Sequence, residues 1–152
     1  METCSGINVV VPDCTSAELV ARAGQRLGLT FTNPEFPRWE FMTDERGNAF
    51  EAMTWKPGEE VSSGRVRSFF GTRNYAGNTA AFLTWIMESN ARGFYVTIPE
   101  DARLWCFGQK KLFTPVFDRT DRRTKLDLCG TPNFWTEYTT FVGFRPAKKA
   151  GR

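Results

Sequence analysis

The sequence predicts an α+β fold, a mostly antiparallel, twisted sheet with two helices, over about 16–27 and 79–92, packed on it. Three observations lead there. Short runs rich in β-branched and aromatic residues recur along the chain, separated by Gly, Pro, Asn and Asp. Two stretches carry apolar residues at helical spacing between recognisable caps. The second of these runs into an apolar strand with almost no loop, which requires the helix to fold back onto the sheet holding that strand. A chain of 152 residues fits one domain, 1–152, with a core that needs no disulfide or metal. The basic tail over about 146–152, ending Lys148-Lys149-Ala150-Gly151-Arg152, is expected to fray.

Ile7 to Val11 reads as a strand ended by Pro12. Thr15-Ser16-Ala17-Glu18 has the capping-box pattern, Leu19, Ala23 and Leu27 recur at helical spacing, and Gly28 is the stop. Leu29 to Thr32 predicts a short strand before the Asn33-Pro34 turn. Trp39–Met42 and Ala49–Trp55, flanking Asp44 to Asn48, predict a hairpin. The Lys56-Pro57-Gly58 break and the Ser62-Ser63-Gly64 loop follow. Arg65-Val66-Arg67 then reads as a strand, with its two arginines on one face and Val66 on the other.

Asn78 is the N-cap expected for the second helix. Phe82, Leu83, Ile86 and Met87 form its apolar stripe, with Gly93 as its left-handed stop. Phe94 to Ile98 is a strand ended by Pro99. Residues 103–107, 111–117, 124–129 and 134–144 are strand-like and spaced as an antiparallel meander.

Composition narrows the chemistry. The chain contains no histidine, which excludes Ser-His-Asp and Cys-His catalysis and histidine-bound metals. No glycine-lysine phosphate loop is present. A carboxylate metal site drawn from Glu100, Asp101, Asp118, Asp127 and Glu137 lacks any Asp-x-Lys or Glu-x-Lys step to support it. A non-enzymatic protein without cofactor or metal is expected. Cys4, Cys14, Cys106 and Cys129 lack zinc-knuckle spacing and read as free thiols, with Cys106 buried in a strand. No run is long enough to span a membrane, and the N-terminus lacks a secretory pattern, so a cytoplasmic location is expected.

Charge is distributed unevenly. Residues 1–60 carry five Lys/Arg against ten Asp/Glu, and residues 61–152 carry fifteen against seven. Such asymmetry predicts an electropositive region and an acidic partner. Arg65, Arg67, Arg73 and Tyr75, with Arg103, Lys110, Lys111, Arg122 and Arg123, interleave with aromatic residues and are the candidate nucleic-acid-binding set. Guanidiniums suit phosphates and exposed rings stack bases. The expected function is binding of single-stranded DNA or RNA through a basic, aromatic-lined sheet face or loops. The alternative is a protein-binding module, an inhibitor or adaptor covering a partner's charged or nucleic-acid-binding surface. It would use Phe36, Trp39 and Trp55 as exposed anchors and Asp44, Glu45, Glu59 and Glu60 as charges. Pairing of the acidic segment of one copy with the basic segment of another would give a homo-oligomer.

Overall fold

A computed structural model of the chain describes residues 2–34, 46–98, 104–106, 111–130 and 134–147. Ten strands and three helices are defined there: β1 (Glu2–Val10), α1 (Ser16–Leu27), β2 (Phe31–Thr32), β3 (Ala49–Lys56), β4 (Val61–Ser62), α2 (Ser63–Gly71), α3 (Thr79–Glu88), β5 (Gly93–Thr97), β6 (Leu104–Cys106), β7 (Lys111–Arg119), β8 (Thr124–Cys129), β9 (Phe134–Trp135) and β10 (Thr139–Pro146). The α+β class and the predominantly antiparallel sheet agree with the sequence.

The main sheet runs β1-β3-β10-β5-β7-β8-β2, with β6 paired to β7. It is mixed, because β10 lies parallel to β5 and β2 parallel to β8. Each central strand divides its side chains between two cores, as the period of two requires. Ala52, Phe117, Val142 and Phe144 pack with Leu19, Val20, Ala23 and Leu27 of α1 and with Phe82, Leu83 and Ile86 of α3. Met53, Trp55, Val96, Val116 and Phe141 pack on the other face with Val66 and Phe70 of α2. The ribbon of β4 and β9 completes this second layer through Val61 and Trp135, whose Nε1 donates to Ser63 Oγ at 2.8 Å.

Four sequence expectations are corrected. A third helix, α2, occupies the span read as loop and strand. Ser62 caps it, its hydroxyl accepting from the Arg65 N–H at 3.1 Å, and Val66, Phe69 and Phe70 give it an apolar face at helical spacing. The helix expected to reach residue 92 ends at Glu88. Its stop is Asn90 at φ 53°, with Ser89 as C-cap, while Gly93 at φ 117° opens β5. The C-terminal strands are a meander only through β6, β7 and β8. β9 leaves for the ribbon, and β10 inserts between β3 and β5. The predicted partner of β3, residues 39–42, lies outside the described residues, and the two edges of β3 are taken by β1 and β10.

Other local readings hold. α1 spans the predicted residues, with Thr15 Oγ1 accepting from the Glu18 N–H at 3.1 Å and Gly28 left-handed at φ 62°. The Asn78 side chain caps α3 through the Ala81 N–H at 2.9 Å.

Candidate nucleic-acid interface

The arginine-bearing segment after Ser62 is built around an aromatic column. Val66 and Phe70 face the sheet and are fully buried. Phe70 gets close to β10 only because residue 143 is glycine, since a Cβ there would lie 2.5 Å from its ring. One step round the helix, the Phe69 ring stacks on Trp55 with centroids 3.9 Å apart and planes 9° from parallel. The guanidinium of Arg73 lies over the Phe69 ring, its Cζ 3.9 Å from the centroid. Arg73 Nη1 donates to the Phe69 carbonyl at 2.7 Å and to Thr72 Oγ1 at 3.2 Å. Both bonds use one nitrogen, so Nε and Nη2 make no hydrogen bond to the described residues. A cation over an aromatic face, tied to backbone, is held in place more firmly than a free surface arginine.

Beside this column, Glu51 and Arg145 are cross-strand partners on β3 and β10. Arg145 Nε and Nη2 donate to the two Glu51 oxygens at 2.9 and 3.2 Å. The Tyr75 hydroxyl donates to Glu51 Oε1 at 3.1 Å, and Arg145 Cζ lies 4.5 Å from the Tyr75 ring centroid. Burial and then the hydrogen bond to Glu51 push the Tyr75 pKa up, and the bond to Glu51 raises that of Arg145. Arg145 Nη1 also reaches the Arg73 carbonyl at 3.4 Å, which joins the two clusters.

Arg65 and Arg67 do not share a face, as a strand would have made them. Two helical positions put them about 200° apart, and both are exposed. Arg65 pairs with Glu59 at 2.8 Å, with both side chains more than half exposed, so the pair is worth about 1 kcal/mol at most. No Asp or Glu occurs between Val61 and Met87, so α2 and its exit carry positive charge alone.

The remaining sequence candidates do not all converge here. Arg119 pairs with Gly93 at the start of β5, whereas Arg145 extends beyond Thr97 at its end, so Arg122 and Arg123 lie at the opposite end of the sheet from Arg73. In that turn Arg123 binds Asp118 at 3.1 Å and Arg92 binds Asp121 at 2.9 Å. Lys111 starts β7 at the Arg145 end. Arg103 and Lys110 lie outside the described residues. The basic set therefore divides into an α2 group and a β7–β8 turn group.

Several rings differ from expectation. Tyr75 is 6% and Trp55 1% exposed, so neither is open to a base or a partner. Helices α1 and α3 pack on one face of the central strands and α2 on the other, which buries most of their rings. Among the described residues the exposed rings are Phe31, Phe134 and Tyr138, none of them singled out from sequence. Phe31 stands on edge strand β2 with Lys125 Nζ 5.8 Å from its centroid. Only its short, edge-like run of sequence hints at this. Glu59 and Glu60 are exposed and border a shallow cleft with Glu137. Phe36, Trp39, Asp44 and Glu45 lie outside the described residues.

Among the described residues no group of three or more acidic or thiol side chains could hold a metal ion, and Cys4, Cys14 and Cys129 are free thiols. Burial raises the pKa of both Cys14 and Cys129. Among the described residues no helix is long and apolar enough to cross a membrane. Comparison with protein-family models, with curated proteins and with solved structures finds no match for the chain.

Proposed function

We propose that this protein binds single-stranded nucleic acid through the outer face of α2 and the chain leaving it. The observation carrying this reading is the column of Trp55, Phe69 and Arg73, which ends in a guanidinium bound to no carboxylate among the described residues. Its plane offers a stacking surface for a base, and its unused nitrogens suit a phosphate. Arg145 reaches the Arg73 carbonyl beside it, and Arg65, one helical turn before Phe69, extends the charge along the helix. Binding is electrostatic in its salt response and tolerant of sequence, because stacking needs no particular base.

The test is fluorescence anisotropy with labelled single-stranded DNA and RNA at about 50 and about 200 mM salt. Affinity should fall steeply between the two. Arg73→Ala should weaken binding at low salt and reduce the slope of log K against log salt by about 1. Arg122→Ala, at the far end of the sheet, should change neither. Absence of binding at low salt removes the proposal. Stoichiometric recovery of a partner protein after nuclease treatment, without oligonucleotide binding, would favour the protein-binding alternative. The observation favouring that alternative is terminal strand β1 of the sheet, which exposes Ile7 and Val10.

A further inference from the structure

On the sheet face covered by α1 and α3, a cleft of about 550 Å³ opens at the end where β1, β5 and β10 begin and β3 ends. Its size is that of a small-molecule site. Thr54 and Thr140 belong to its lining and share a face with Ala52 and Val142 of the α1/α3 core. The cleft is thus separated from α2 by the thickness of the sheet.

Two polar atoms on residues lining this cleft, Trp85 Nε1 and Ser89 Oγ, have no partner and are closed off from solvent behind the cleft wall. Trp85 is 4% exposed. An indole N–H can only donate, so whatever completes it must be an acceptor. Leaving such a donor unmade in a buried place is costly, and native structures rarely do so without reason. The third orphan, Trp55 Nε1, belongs to the α2 core and does not line the cleft.

Among the described residues, the charged side chains lining the cleft are basic, with Glu2 the cross-strand neighbour of Lys56 in the β1–β3 register. Lys56 and Arg92 line it, and among the described residues no Asp or Glu does. Arg92 is shared with Asp121 in an exposed pair, whereas Lys56 has no ion-pair partner among the described residues. The C-terminal end of α3 opposes an anion, but it counts for about half a unit charge against the full charge of Lys56. Apolar and aromatic surface comes from Ile7, from Tyr95, which packs against Trp85 at 5.4 Å, and from Tyr138, 71% exposed. Burial raises the Tyr95 pKa, so its hydroxyl stays protonated at neutral pH.

We propose that this cleft binds a small organic oxyanion, a carboxylate or phosphate carried on a flat aromatic body. The acceptor oxygens meet Lys56 and, as the lining side chains give way to them, the Trp85 N–H and the Ser89 hydroxyl, and the ring lies against Tyr138 and Ile7. This assignment does not depend on the α2 reading.

The experiment uses the full chain labelled with ¹⁵N and follows the tryptophan indole N–H resonances, with that of Trp85 assigned by Trp85→Phe. The probes are benzoate, phenyl phosphate, uncharged benzamide and inorganic phosphate. Benzoate or phenyl phosphate should shift the Trp85 indole proton downfield in a saturable way and leave the Trp55 and Trp135 resonances in place. Whichever of the two binds more tightly identifies the acid. Benzamide and inorganic phosphate should bind at least about tenfold more weakly, and Lys56→Gln should weaken the anion by about tenfold, the cost of one charge-assisted bond. Should Trp85→Phe fail to fold, Thr54→Val and Thr140→Val must weaken binding measured by calorimetry. No response to either aromatic anion, or an equal response to benzamide, overturns the assignment.

Discussion

Glu51 ties together the α2 side, accepting from Arg145 and from Tyr75. Tyr75→Phe removes one bond to a charged acceptor and should cost about 1–2 kcal/mol, read as a lower urea midpoint. The pH dependence has a definite sign. The folded pKa of Tyr75 lies above its ordinary value of 10.0, so the unfolded chain loses the proton first. The stability tied to the protonated hydroxyl is intact below pH 10 and lost as pH rises through the folded value. Urea midpoints between about pH 9 and pH 11 should fall for the native chain and fall less steeply for Tyr75→Phe. Equal slopes would show that Tyr75 does not couple to folding. The basic and aromatic character of this site was legible in Arg73 and Tyr75. Their acidic partner was not, because Glu51 is brought in by strand pairing between β3 and β10, which no local pattern encodes. Trp55 was misjudged for the same reason: alternation in β3 placed it opposite Ala52, but what covers that face is α2.

At the scale of elements, α2 is where sequence reading failed. Arg65-Val66-Arg67 alternates as a strand does, Gly64 and Gly71 weaken the helical pattern, and Phe69-Phe70 suits either state. Docking against the sheet decides it, and that docking depends on Gly143. Gly143→Ala sets a methyl against the Phe70 ring and should destabilise the fold by about 1–3 kcal/mol. Adding Phe70→Leu should recover part of the loss, so that the two changes are strongly non-additive in denaturant melts. If Gly143→Ala leaves the midpoint unchanged, the close approach is not a constraint. Ser62→Ala should cost about 1 kcal/mol as a lost helix cap and should weaken oligonucleotide binding if α2 carries the interface. α1 and β8, by contrast, were read to the residue, because a capping box with a left-handed glycine, and a short alternating run between turn signals, are local statements.

For the whole molecule, the order of strands matters more than their number. The sequence predicted strands at 111–117 and 124–129 as neighbours, which they are, but it could not place 139–146 in the middle of the sheet. Long-range pairing of that kind follows from the two-sided burial of Phe141, Val142 and Phe144 and becomes visible only once both layers exist. A chain ending at Tyr138 lacks β10, so β3 and β5 lose their shared neighbour and both cores lose members. It should show no cooperative thermal transition and no near-ultraviolet circular dichroism of packed aromatics. A cooperative melt in that truncation would mean that the halves fold apart. The basic residues read from sequence as one set are divided by folding into two groups at opposite ends of the sheet, which is why the binding experiments set Arg73 against Arg122.

The central place of β10 also bears on how the protein is made. Synthesis delivers N-terminal elements first, so β3 and β5 both leave the ribosome before the strand that joins them. Until it arrives, each waits with an open hydrogen-bonding edge and an uncovered apolar face, the conditions under which nascent chains associate wrongly. Slow translation or termination between β5 and β10 should therefore send the product to chaperones or inclusion bodies, whereas a pause before β1 is complete should do little harm.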